Sequence, residues 1–253
     1  MTTTTTTATT TTATTTTRPE RPTSVQRTAR TAGLLYLILA VCGGFAEFFV
    51  RQSLIVAGDA AATAVNILGA QPLFRLGIVA ELVGQVAFVL LVLALYRVLE
   101  PVGRGLARVM VAFVLVAVTI TALNMLNQFA ALHVLTGGTG LAAFDPAQQQ
   151  ALAMTFVDLH HAGYLIAQVF FGLWLLPLGI LIYRSGYLPK LIGALLMLAA
   201  AGYVVDVATF FLAPGSGPVL SEFTFVGELA LMLWLLVMGV NVGRWERRTL
   251  ETA

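Results

Sequence analysis

Charge is scarce in this chain. Asp, Glu, Lys and Arg make up 10% of its residues, where a soluble domain carries about a quarter. Cysteine occurs once, at Cys42, so no intrachain disulfide staples the fold. Histidine is confined to His133, His160 and His161. The short signatures of several common chemistries are missing as well: there is no Walker loop, dinucleotide fingerprint, HExxH, paired CxxC or GxSxG. Gly137-Gly138-Thr139-Gly140 follows no strand pattern and reads as loop. No cofactor is implied, and a net charge of +2 gives no sign of a nucleic-acid partner.

What is abundant is apolar sequence, 58% of the chain. Six long apolar runs span residues 32–50, 74–99, 106–135, 151–183, 191–212 and 223–242. Each approaches or exceeds the roughly 20 residues that cross a ~30 Å hydrocarbon core. None alternates like a barrel strand, and all are rich in Leu, Ala, Val and Gly, which predicts helices. The expected fold is therefore all-α: a polytopic bundle of six transmembrane helices with the lipid bilayer as its surroundings. The first run, about 19 residues, is too long for the usual hydrophobic region of a cleaved signal peptide.

The basic residues set the expected orientation. Arg18, Arg21, Arg27 and Arg30 precede the first run, and Arg97, Arg104 and Arg108 surround the second turn. Arg184 and Lys190 lie in the fourth turn, and Arg244, Arg247 and Arg248 follow the last run. Only Arg51 and Arg75, of 14 basic residues, fall on the other side. By the positive-inside rule both termini are cytoplasmic, and a plasma membrane is the expected location.

Residues 1–27 are dominated by Thr and predict a disordered tail. Residues 28–245 form the membrane domain, and 246–253 a short second tail. The two longer outer loops predict short helices. Asp59 precedes an apolar stretch at 60–68 that ends at Gly69, while Asp145-Pro146 with Gln148 reads as a capping box. The fourth helix, from 146 to 183, would be about 57 Å long and overshoot the membrane, with Pro177 kinking its inner half. Tyr96, Tyr183, Tyr187 and Trp245 sit where an inner aromatic belt belongs.

Five acids lie in or against these segments: Glu47, Glu81, Asp158, Asp206 and Glu228. A carboxylate in hydrocarbon is costly unless protonated, paired or facing water, so each is a candidate for function. Counting helical rise from the cytoplasmic ends puts Glu47, Asp206 and Glu228 at about 21–22 Å, and Glu81 and Asn124 at about 27 Å. Asp158 comes out near the outer boundary. The expectation is one acidic layer open to the outside. Glu47 and Arg51, at i, i+4, predict an ion pair. Asn124 and Gln128 share a face and read more simply as interhelical hydrogen-bonding groups than as ligands. Asp158 and His161 share a face but supply at most two metal ligands, so no metal site is predicted.

Several stretches resemble one bacterial membrane family. They are Arg30-Thr31-Ala32-Gly33-Leu34-Leu35-Tyr36-Leu37, Gly58-Asp59-Ala60-Ala61-Ala62-Thr63-Ala64, Asp158-Leu159-His160, Tyr183-Arg184-Ser185-Gly186-Tyr187-Leu188-Pro189 and Gly202-Tyr203-Val204-Val205-Asp206. Together they are similar to the family catalogued as domain of unknown function 4386, over residues 28 to 215. The resemblance implies a multi-pass bacterial membrane protein and brings no activity or catalytic residue with it. The leading expectation is an outward-facing acidic pocket that binds a cation, proton or small polar ligand, in transport or sensing. Its ligand-binding candidates are Glu81, Asp206, Glu228, Asp158, His161, Asn124 and Gln128. A metal-dependent intramembrane hydrolase using Asp158 and His161 is one alternative. A structural or accessory subunit is another.

Overall fold

A computed structural model describes residues 22–138, 140–213, 220 and 225–251. Among the described residues every regular element is a helix. Helix α1, Pro22–Gly44, continues through a π-helical stretch, Phe45–Arg51, and a last turn, Gln52–Leu54. The others are α2 (Ala60–Gly69), α3 (Gln71–Leu135), α4 (Pro146–Ser185), α5 (Lys190–Leu212), α6 (Val226–Val237) and α7 (Val242–Glu251), with a 3₁₀ turn at Leu141–Ala143. Four stretches are long and apolar enough to cross a membrane: Ser24–Leu54, α3, α4 and α5. Their outward side chains include Leu34, Phe48, Leu126 and Leu191, all exposed, an apolar exterior that suits lipid rather than water. This is a multi-pass helical membrane protein.

The helix starts follow from local chemistry. Asp59 accepts the Ala62 N–H at 2.8 Å and so caps α2. At α4 the Gln148 N–H donates to Asp145 Oδ1 (2.9 Å) while Gln148 Oε1 accepts the Asp145 N–H (3.0 Å). That reciprocal pair is the capping box expected there.

Helix α3 has 65 residues and would be about 97 Å long if straight. It is not straight. Pro101 lacks an N–H, and Gly103 leaves helical geometry for extended backbone (φ −178°, ψ 92°). Two arms, 71–102 and 104–135, then fold back on each other, so Phe74 and Leu132 share an apolar cluster with Val50 and Ile67. Neighbouring helices run antiparallel and approach through glycine. Gly77 faces Val50, Gly84 faces Cys42, and the backbones of Gly179 and Gly193 meet.

One end of the bundle gathers the bend, the α4–α5 turn and α7. The carbonyl of Val98, just before the proline, accepts from Tyr187 Oη (2.7 Å) and Trp245 Nε1 (3.0 Å). Tyr187 and Trp245 are therefore buried clamps rather than members of an interfacial belt. Burial pushes the Tyr187 phenol above its ordinary range, so it keeps the proton it donates.

The sixth run differs from expectation. Helix α6 stops at Val237 after 12 residues, Gly239 takes a left-handed φ of 68°, and α7 turns away by 103°. The carboxamide of Gln26 fills the break: it donates to the Met238 carbonyl (2.9 Å) and accepts the Val240 N–H (3.0 Å). Phe223, expected in this run, lies outside the described residues. Helix α1 begins at Pro22, and α7 carries the chain through Glu251.

Candidate functional site

The upper part of the site starts with the π-helical stretch of α1. There the Gln52 N–H bonds the Glu47 carbonyl five residues back, a widened turn of the kind often found at functional sites. Gly77 lets the first arm of α3 press against Val50, which brings Glu81 beside Arg51. The guanidinium then bridges two carboxylates, Nε to Glu47 Oε2 and Nη1 to Glu81 Oε2, each at 2.7 Å. The Glu47–Arg51 pair matches the i, i+4 expectation. The second bond, to Glu81, makes it a triad. Glu81 is 5% exposed, whereas Glu47 is 43% exposed on the rim.

The lower part is built by three other helix faces. Glu228 on α6 accepts from Tyr36 Oη of α1 at Oε2 (2.7 Å) and from Tyr203 Oη of α5 at Oε1 (2.9 Å). Among the described residues no basic group lies within ion-pair distance of it. Gln85, one turn beyond Glu81 towards this level, is 8% exposed, and among the described residues its Oε1 has no hydrogen-bond partner. Aromatic rings close the walls: Phe88 meets Trp174 edge-on at 5.0 Å, and Phe171 packs against both Phe88 and Tyr164.

Both parts line one cavity of about 390 Å³ that follows α1 from Tyr36 to Arg51, about 22 Å of helix. Its acids therefore sit at two levels, not in one layer. The depth count misplaces Glu228 because it treats residues 228–242 as continuous helix. With α6 ending at Val237, Glu228 stands only about 14 Å from the helix end.

A second cavity, of about 520 Å³, lies beside the 55–58 loop and is lined by Asp158, His161 and Gln52. Glu47, Arg51 and Tyr164 line both cavities, so the Glu47–Arg51 pair stands where a vestibule beside the 55–58 loop meets an inner chamber that reaches Tyr36. This end is opposite the one where Tyr187, Trp245 and the bend of α3 gather.

The remaining candidates lie elsewhere. Asn124 Nδ2 donates to the His160 carbonyl (2.7 Å), and Gln128 Nε2 meets His160 Nε2 at 2.8 Å. Neither lines either cavity; they tie the second arm of α3 to α4. Asp206 also lines neither, and its Oδ1 accepts the Leu220 N–H at 2.7 Å. Thr224, which shares a stripe with Glu228 in the sequence, lies outside the described residues. Among the described residues no three His, Cys, Asp or Glu side chains come together as a metal would require. Sequence reasoning left Tyr36, Tyr203, Gln85 and Trp174 out of the candidate site, though Gln85 shares a helical stripe with Glu81. The two tyrosines carry a legible signal, since a phenol within an apolar span needs a hydrogen-bond partner.

The chain matches the family model described as "Domain of unknown function (DUF4386)" over residues 31–239. It belongs to that family. It is also 32% identical over 148 residues to an "Uncharacterized protein" of Archaeoglobus fulgidus, covering 58% of this chain and 73% of that one. No solved structure matches. The matched region takes in every residue of the triad together with Tyr36, Gln85, Tyr203 and Glu228.

Proposed function

We propose that this is a plasma-membrane protein with six crossings and both termini in the cytoplasm, which binds a cation, proton or small polar ligand from outside, in transport or sensing. One observation carries the reading: a single cavity joins Glu47, Glu81 and Glu228 with only Arg51 as fixed counter-charge. Three carboxylates against one guanidinium leave the chamber acidic, and such a surplus in a membrane is costly unless a cation or proton answers it. The orientation rests on the basic residues. The crossing count rests on the folding back of α3 and on treating α6 as a short sixth pass, about 18 Å long. Functional candidates narrow to Glu81 and Glu228, with Asp158 and His161 at the vestibule. The test is to titrate the purified protein in nanodiscs with sodium, potassium and protons. A melting temperature that rises with one of them, and no longer does so in Glu81→Gln and Glu228→Gln, is the expected result. Identical responses in wild type and both variants would refute it.

A further inference from the structure

We infer that the inner chamber is a site for a small primary or secondary ammonium carrying an apolar body, with its nitrogen between Glu228 and Gln85. This rests on the acidic-pocket reading above and narrows it to one class of ligand. Four features converge.

The first is charge. Arg51 bonds Glu47 and Glu81 directly, while among the described residues Glu228 has two donors, both neutral phenols. At the bottom of the chamber the charge without a basic partner is that one carboxylate, which suits a monocation there, while the triad's own surplus sits at the rim, where Glu47 is half-exposed. The second is an orphaned acceptor. Gln85 lines the same cavity, is more than nine-tenths buried, and its Oε1 meets no donor among the described residues. A buried polar atom of this kind is rare, and a turn of the carboxamide about its last torsion would present it to an N–H of a ligand in the chamber. A quaternary ammonium could not, because it has no N–H to give.

The third is the wall. Tyr36, Phe88, Phe171 and Trp174 form a contiguous aromatic lining, with Trp174 within 6.4 Å of the Tyr36 ring and 5.0 Å of the Phe88 ring. Aromatic faces attract ammonium groups and bury hydrocarbon equally well. The fourth is size. About 390 Å³ falls in the range of small-molecule sites. Calcium or magnesium would take six or more oxygens, and away from the triad the cavity offers Glu228, Gln85 and the phenols of Tyr36 and Tyr203. An ammonium with an apolar body uses both the polar floor and the aromatic wall.

The experiment is isothermal titration calorimetry on the full-length protein in nanodiscs at pH 7, with benzylamine as the probe. Benzyl alcohol serves as its neutral counterpart, and sodium and potassium chloride as inorganic cations. The expected result is that benzylamine binds at least tenfold more tightly than benzyl alcohol. Glu228→Gln should lower benzylamine affinity at least tenfold, and Gln85→Met, similar in volume but without the amide, several-fold. Equal binding of the amine and the alcohol would overturn the inference, and so would an unaltered benzylamine affinity in Glu228→Gln and Gln85→Met. Binding of sodium, potassium or protons but not of benzylamine would overturn the ammonium assignment and leave the broader acidic-pocket reading standing. If neither amines, inorganic cations nor protons bind, both fall together.

Discussion

Removing Arg51 would leave Glu81, 5% exposed, without a cation in a region sheltered from water. A buried pair broken from one side costs about 3–5 kcal/mol. Arg51→Ala is therefore expected to lower the melting temperature sharply in detergent or nanodiscs. Glu81→Gln should cost less, since Arg51 keeps its bond to Glu47. The double variant Arg51→Ala with Glu81→Gln should recover part of the loss; strictly additive effects would show that the two residues are not coupled. At Glu228 the dependence runs through neutral donors. Tyr36→Phe and Tyr203→Phe each remove one of its two hydrogen bonds. Each should cost about 1.5–3 kcal/mol, the usual range for a hydrogen bond to a charged group, and an unchanged unfolding midpoint in both would contradict the geometry. None of these partners could be read from sequence spacing, because they lie on different helices. Glu47 with Arg51 was legible because i, i+4 contact is decided within one helix.

At the scale of elements, glycine sets how closely the helices approach. A Cβ on Gly179 would stand 2.7 Å from the Gly193 carbonyl oxygen and 3.1 Å from the Met197 nitrogen. Backbone cannot step aside as a side chain can. Gly179→Ala should therefore push α4 and α5 apart and cost about 1–3 kcal/mol, the usual penalty for overpacking. Gly105, also helical, meets nothing within 4 Å. Gly105→Ala should be neutral or stabilise by up to about 1 kcal/mol, so matched thermal melts of the two variants test the packing directly. The break between α6 and α7 depends on a different device, the two hydrogen bonds of Gln26. Gln26→Ala should release α7 from the bundle end, read as faster amide exchange at 242–251 with little change in α4. Met238-Gly239 offered a hint of that break, but apolar residues on both sides made the run look continuous.

At the scale of the whole molecule, the proposed topology separates the two ends across a bilayer. Single cysteines placed at Ala57 and Arg247, in a Cys42→Ser background, should differ in intact cells. A membrane-impermeant maleimide should label position 57 at once and position 247 only after permeabilisation; the reverse pattern would invert the molecule and turn the cavity mouth inward. The helical membrane class was legible from the start, because crossing hydrocarbon demands long apolar helices whatever their neighbours. The capped starts of α2 and α4 were legible for a similar reason, since Asp59, Asp145 and Gln148 act within a few residues of themselves.

Convergence needed the tertiary structure. The sequence could rank Glu81, Asp206 and Glu228 only by depth along separate helices, and depth says nothing about which way a neighbour faces. Packing through Gly77 and Gly84 turned Glu81 and Gln85 towards α1, while the early end of α6 lowered Glu228 to the level of Tyr36. Asp206 settled against the Leu220 N–H, and Asn124 with Gln128 were spent on His160. By itself the sequence determined the solvent this chain lives in, since hydrophobicity is a sum over residues. Which acids share a cavity was decided only in the fold, because that is a matter of relative rotation, set by the contacts between helices.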